Sequence, residues 1–290
     1  MVGTVASMSV ALVQRRESAR FKQSPISGAT CPNETVEFVL QMSVTGCMKH
    51  GAHPADIQPT ILRLSKLMAL GEGDIETLRI ASGMAFALPA GRALSKLDQE
   101  ASNPAAVLGG WLARVRQGRD GKRQILDIYL PGDIITPNPK IKPYVAGAIV
   151  AVHDVHLCQL PASLSDTLST ALLLSRQLDE ERLLRQIYRV GRMTASERIY
   201  DWMIETGDRL RVAGLAGENE FMLPLRQDLV ADILALTAVH LNRTLKDLRL
   251  SGKLTWRLGK VRISPDQTVR SRHSPFDITH SPEAHRSDYG

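Results

Sequence analysis

The stretch LTAVHLNRTLKDLR, residues 236–249, carries two stripes at helical spacing. Leu241, Leu245 and Leu248 mark one face, which a helix buries against a core. Val239, Asn242, Arg243 and Lys246 recur at the same interval on the other face. A helix needs only one buried stripe. The second stripe is therefore expected to face a partner, and its residue types state which kind.

The flanking sequence supplies the frame. RQDLVADIL predicts a first helix from Gln227 to Leu234, with Val230, Ala231 and Leu234 buried. Ala235-Leu236 is the connection, and Thr237 caps the second helix. Two helices on so short a turn read as a helix-turn-helix, whose second helix fits the major groove of duplex DNA. KLTWR, Leu258-Gly259 and KVRI then read as a hairpin wing beside it. On this reading Val239, Asn242 and Arg243 face bases. A guanidinium at Arg243 can bond a guanine edge in bidentate fashion, Asn242 can pair with adenine or a phosphate, and Val239 can meet a thymine methyl. Lys246, Arg249, Arg257 and Lys260 are placed for phosphates, together with Thr237 and His240 near the start of the helix.

Charge supports an anionic partner. The chain has 290 residues and a formal net charge of +6. Residues 237–263 hold seven Lys or Arg and one acid, Asp247, so this segment alone carries +6. A basic concentration around one helix is an electrostatic footprint of nucleic-acid binding. Aromatics make up only 4% of the chain, which argues against stacking on single strands. The three cysteines, Cys31, Cys47 and Cys158, are too few and too far apart for a disulfide framework, and they fit a reducing, cytoplasmic setting. No apolar run reaches the ~18 residues of a membrane span. Residues 1–20 lack the pattern of a signal peptide and read as a tail, with Met8, Met42 and Met48 as alternative starts.

Upstream, TILRLSKLMAL (residues 60–70) and EGDIETLRIASG (72–83) have helical spacing, with Asp74 as a cap. The texture then becomes that of short strands. Trp111, Ala113 and Val115 alternate with Leu112, Arg114 and Arg116, and Asp120-Gly121 marks a hairpin turn. Pro131-Gly132-Asp133 closes the second strand, and AGAIVAVHDVHLCQLP reads as a further strand pair. These strands imply an antiparallel sandwich or small barrel. From Leu164 to Val190 a helical stripe of Leu164, Leu168, Leu172, Leu178, Leu183, Ile187 and Val190 predicts a rod of about 40 Å that pairs with its twin. Gly191 is expected to end it. Thr194 and Glu197 then form a capping box for the next helix.

Taken in order, LTAVHLNRTLKDLR with GKL, PAGR, GW, DGKRQILDIYLPGD and LDEERLLRQIYRVGRMTASERI resemble the Crp/Fnr superfamily of bacterial transcription regulators over residues 62–263. The resemblance implies an α+β chain: a cyclic-nucleotide-binding-like β jelly roll, a long dimerisation helix and a C-terminal winged helix-turn-helix on a two-fold DNA site. It also implies contact with RNA polymerase. The expected organisation is a loosely ordered segment 1–57, a jelly-roll sensor 58–163, a dimerisation helix 164–191, a winged helix-turn-helix 192–264 and a tail 265–290. The dimer residues are Leu164, Leu168, Leu172, Leu183, Ile187 and Val190.

Several departures limit what the resemblance carries over. Many members have Glu where this chain has Val239, so the half-site sequence is not borrowed. Ala235 stands where Gly is common and is read as suiting a turn close to helical geometry. NPKIKPYVAGAIVAV lacks the cyclic-nucleotide cassette, so cyclic AMP is not expected. The cysteines cannot supply a four-thiolate iron–sulfur cluster. SKLDQEASNPAAVLGG lacks the usual Glu-Gly turn and places Pro104 at a strand, a loose edge. HDVHLC puts Asp154, His156 and Cys158 on one strand face, read as ordinary sheet rather than as a metal or haem site. No metal site or catalytic triad is expected, the protein is read as no enzyme, and the cofactor and signal stay open. The rival reading is a small-molecule or haem sensor in which DNA binding is secondary.

Overall fold

The computed structural model describes residues 56–94, 103–118, 123–136 and 147–264. The expected N-terminal segment (apart from Asp56 and Ile57), the tail from 265, Cys31, Cys47 and the Asp120-Gly121 turn lie outside the described residues.

Two short helices come first, α1 (Gln58–Ser65) and α2 (Glu72–Ser82). Pro59 sits in the first turn of α1, where its missing N–H is no loss. This start is earlier than the sequence pattern implied, and Ile57 before it belongs to the core. Asp74 acts from inside the first turn of α2, accepting a hydrogen bond from the Gly71 N–H at 3.0 Å.

Seven strands follow: β1 (Phe86–Leu88), β2 (Ala105–Gly109), β3 (Leu112–Gln117), β4 (Arg123–Tyr129), β5 (Ile134–Ile135), β6 (Ala148–Ala151) and β7 (Val155–Gln159). They form two antiparallel sheets, ordered β1-β7-β2-β5 and β4-β3-β6. The expected β3–β4 pairing is present, from Leu112↔Tyr129 to Gln117↔Arg123, with a register shift between Arg114 and Val115. The expected pairing of β6 with β7 is not. β6 pairs with β3, and β7 pairs with β1 and β2 in the other sheet, so the turn between them crosses the sandwich.

Alternation along each strand decides what it faces. Val107 and Leu157 from one sheet meet Leu112, Tyr129 and Ala151 from the other. The opposite residues of β2, Ala106 and Leu108, join Cys158, Leu64, Leu78 and Leu168 beneath the helices. The outer face of β3 and β4 (Ala113, Val115, Ile125, Ile128) packs on Ile199, Trp202 and Leu229 of the C-terminal region. Trp111, Ala113 and Val115 therefore bury against that region, while Leu112 fills the sandwich. The sheet of β3, β4 and β6 and the C-terminal region share one apolar cluster. Pro104, expected at a loose edge, leads into β2, whose five residues are all buried.

The long helix α3 (Asp166–Arg192) has 27 residues. Ser165 caps it by accepting from Leu168 N at 3.0 Å. Gly191 does not end the helix, which runs to Arg192 and stops where Met193 turns extended, at ψ 146°. Thr194 and Glu197 form the capping box of α4 (Ala195–Val212), as expected.

Buried ion pairs tie these pieces together. Arg189, 1% exposed, bonds Asp201 and Glu205 of α4. Asp133, in the turn after β4, binds Arg63 of α1 and Arg209 of α4. Burial pushes the Asp133 carboxyl up, but Arg209 and Arg63 outweigh it and hold it at about 2. The Pro131–Asp133 turn needs Gly132, whose φ is 96°. A Cβ there would stand 3.0 Å from the Pro59 carbonyl oxygen.

Candidate nucleic-acid interface

The C-terminal region adds β8 (Glu220–Met222), α5 (Gln227–Ile233), α6 (Ala238–Leu250), β9 (Leu254–Arg257) and β10 (Lys260–Ile263). The three strands form one antiparallel sheet, β8-β10-β9. α5 ends one residue before the expected Leu234, which becomes its C-cap. Thr237 caps α6, accepting from His240 N at 3.2 Å. Helix, turn, capped helix and wing are all present in the expected order.

The turn departs from expectation at Ala235. Its φ is 53°, in the left-handed region and not near helical geometry. A Cβ in this region costs about 1–2 kcal/mol, which is why glycine suits the position. Three successive carbonyls at this sharp turn are held by side chains. Gln124 Nε2 donates to Asp232 O at 2.7 Å, Gln186 Nε2 donates to Ile233 O at 2.6 Å, and Arg198 Nη1 donates to Leu234 O at 3.4 Å. Arg123 adds an ion pair to Asp232 at 2.5 Å. Sequence reasoning missed these supports, because they come from β4, α3 and α4, far away in the chain.

α6 divides as its periodicity implies. Leu241, Thr244 and Leu248 are buried, with Leu245 against the same cluster. The Thr244 hydroxyl donates to His240 O at 2.9 Å, which fits a polar residue into the buried face. On the opposite side Val239 is 81% exposed, and Asn242, Arg243 and Lys246 are exposed. An exposed valine beside two hydrogen-bonding side chains and an ammonium serves no packing purpose in the chain. His240 is half-buried, while Thr237, Arg249 and Arg257 are exposed.

Lys260 differs from the other phosphate candidates. Its Nζ lies 2.7 Å from Glu220 Oε1, and Arg262 Nε lies 3.0 Å from Oε2 of the same carboxylate. Hydrogen bonds from Lys260 and then Arg262 hold the Glu220 carboxyl below its ordinary range. Lys260 therefore begins from an existing exposed ion pair, not as an unengaged cation. The register that sets Arg262 against Glu220 comes from β8–β10 pairing, which EFM (Glu220–Met222) does not reveal on its own.

The expected dimer residues separate into two groups. Leu168 is buried, and Leu164 and Leu172 pack on the same cluster, so these three belong to the core between α1, α2 and the β2–β7 sheet. This corrects the sequence reading, in which the apolar stripe of α3 was one continuous surface. Leu183 and Ile187 are exposed and Val190 is half-buried. Leu173, Leu184 and Tyr188 are exposed too and were not singled out. The outward apolar stripe of α3 thus runs through Leu173, Leu184, Ile187 and Tyr188.

HDVHLC does not assemble. Cys158 is buried, with burial pushing its thiol up to about 11. Asp154 precedes β7 and accepts a hydrogen bond from Ala90 N at 2.9 Å. Among the described residues, no group of three His, Cys, Asp or Glu could hold a metal ion. No described helix is long and apolar enough to cross a membrane.

Comparison with known proteins agrees with this architecture. Residues 197–265 match the Crp-like helix-turn-helix domain family. The transcriptional regulatory protein btr of Bordetella pertussis is 24% identical over 180 residues, covering 60% of this chain and 74% of that protein. The structure of FixK2 from Bradyrhizobium japonicum shares the fold with a TM-score of 0.53 and 22% identity, over 66% of this chain and 97% of that one. The matched model assigns residues 197–265 to the Crp-like helix-turn-helix domain family, and the likeness to FixK2 shows a shared fold over the matched part of the chain.

Proposed function

We propose that the protein is a homodimeric, sequence-specific regulator of duplex DNA whose sensor responds to a signal other than cyclic AMP or an iron–sulfur cluster. The observation that carries this reading is the outward stripe of Val239, Asn242, Arg243 and Lys246 on a helix whose other face is buried. Arg243 and Asn242 bond base edges, and Val239 contacts a thymine methyl. Lys246, Arg249 and Arg257 neutralise phosphates, with Thr237 and His240 at the start of the helix and Lys260 once it leaves or shares Glu220.

The stripe of Leu173, Leu184, Ile187 and Tyr188 pairs two copies along α3. That pairing sets two α6 helices about 34 Å apart, one turn of DNA. RNA polymerase is the expected further partner, and the cytoplasm the expected location. Selection of bound duplexes from a random pool tests the reading. The expected product is a two-fold sequence with half-sites one helical turn apart. Recovery of no enriched sequence, or a monomer in sedimentation at micromolar concentration, would overturn it.

A further inference from the structure

The wing ends in a turn whose residue is the wrong one for its geometry. Arg257 pairs with Lys260 across the hairpin, so Leu258 and Gly259 alone form the loop. Their φ angles are 50° and 76°. Positive φ at both central residues defines the type I′ turn, in which Asn-Gly is strongly preferred. Leucine has a Cβ that opposes this geometry and no polar atom to bond the nearby backbone. Its side chain is also 81% exposed, so packing within the chain does not offset the strain. The core of the wing is already filled by Leu254 and Val261. Backbone strain at an exposed tip, with no internal contact to explain it, points to an external one.

The surroundings state which kind. Arg257 is exposed on one side of the tip, and Lys260 stands across from it on the other. An apolar projection flanked by cations matches a groove with apolar walls between two rows of phosphates. The minor groove of DNA is such a groove, and apolar side chains there enter at base steps that unstack readily. It adjoins the major groove across a single backbone, so a wing beside a helix in one can reach the other.

We propose that Leu258 is a minor-groove contact residue, inserted at one base step per half-site beyond the bases that α6 reads. This rests on the DNA-binding reading above. The walls and floor of an A·T pair lack the guanine amino group, and pyrimidine–purine steps deform most easily. The wing therefore adds a preference for A·T pairs or a flexible step at a position that α6 does not touch.

The test uses the full-length protein and the duplex recovered by random-pool selection. A fluorescent adenine analogue is placed in turn at each step flanking the major-groove contacts. Binding of the unmodified protein should brighten one step per half-site, as the base unstacks. Leu258→Asn keeps the turn and removes the apolar projection. It should unfold at a temperature no lower than the parent, abolish the brightening and weaken binding about tenfold. Replacing the brightened step by G·C should weaken the parent and leave Leu258→Asn unaffected. Equal affinity and equal fluorescence for the two proteins would overturn the proposal, as would loss of transcription with DNA binding unchanged, which would assign Leu258 to a protein partner. If the unmodified protein enriches no duplex, the DNA-binding reading itself fails. If it enriches one without a response at Leu258, only the wing assignment fails.

Discussion

α3 and α6 are both amphipathic helices with arginines, and the two use them in opposite ways. On α3, Arg182 and Arg189 turn inward, each held by carboxylates. Its exposed face carries Leu173, Leu184, Ile187 and Tyr188. On α6, Leu241, Leu245 and Leu248 turn inward and Arg243 and Arg249 face solvent. A helix face is therefore not identified by its charge alone. An inward guanidinium fastens elements of one chain, because a buried charge must be paired. An outward guanidinium on a helix that already has a buried face is available to another molecule.

The largest effect that separates the two helices is on stability. Arg189→Met removes a 1% exposed guanidinium from between Asp201 and Glu205 and leaves the half-buried Arg185 to neutralise two buried carboxylates. It should destabilise by about 3–5 kcal/mol in urea unfolding. Arg243→Ala should shift the same midpoint by less than about 0.5 kcal/mol. Equal losses would mean that the inward and outward roles are wrongly assigned.

The two faces of α3 can be separated in the same manner. Ile187→Glu places a charge on the outward stripe, where Ile187 is 70% exposed. Sedimentation should show a monomer with unchanged circular dichroism, through a loss of about 2–3 kcal/mol per copy from the subunit interface. Leu168→Glu, by contrast, places a charge in the core beneath α1 and α2 and should lose the fold itself. A folded Leu168→Glu monomer would restore the continuous stripe of the sequence reading and refute the division described here.

On α6 the expected effect is on specificity. Arg243→Ala should cost about 1–3 kcal/mol against one base pair of the selected site and little against a variant at that pair. Arg249→Ala should weaken all sites alike and reduce the salt slope by about 0.9. Competition binding across single-base variants and a salt titration check both. If the two substitutions gave the same profile, the distinction between base and phosphate contacts on this face would be lost.

Inward pairing also predicts a pH dependence. The Asp133 carboxyl is depressed from an ordinary 3.8 to about 2 in the folded chain. A depressed carboxylate contributes stability that is fully present above its unfolded value and is lost as pH falls through its folded one. The contribution is about 2 kcal/mol, lost between roughly pH 4 and pH 2. Asp133→Asn should flatten that part of the stability curve and weaken the parent at neutral pH. An unchanged slope would show that Arg63 and Arg209 do not hold the ionised form.

The same contrast explains what was legible in the sequence. The outward stripe of α6 mixes Val239, Asn242, Arg243 and Lys246, a composition that no interior needs, so its outward face could be read. α3 carries leucines on both its inward and its outward face. Leu168 and Ile187 look alike to periodicity, and only the sheet beneath Leu168 separates them. β6 and β7 are each clear as strands, but their membership of different sheets is a fact of topology. Gln124 and Gln186, which hold the carbonyls of the helix-turn-helix, are ordinary surface glutamines until β4 and α3 bring them to Asp232 and Ile233. Periodicity reports which residues share a face. It does not report what comes to lie against that face.

The smallest expected effect concerns the turn that these glutamines support. Ala235 is exposed, so its methyl contributes no packing, yet it sits at φ 53°. Ala235→Gly removes the left-handed strain, and the greater unfolded-state entropy of glycine offsets part of that gain. The net stabilisation should be at most about 1 kcal/mol, or roughly 2–4 °C in the unfolding midpoint. Affinity for the selected duplex should be unchanged, because the orientation of α6 is fixed by its buried face and by Gln124, Gln186 and Arg198. A gain in stability accompanied by weaker binding would instead show that the strained turn itself aims the recognition helix. The carbonyl supports would then be a consequence of that geometry and not its cause.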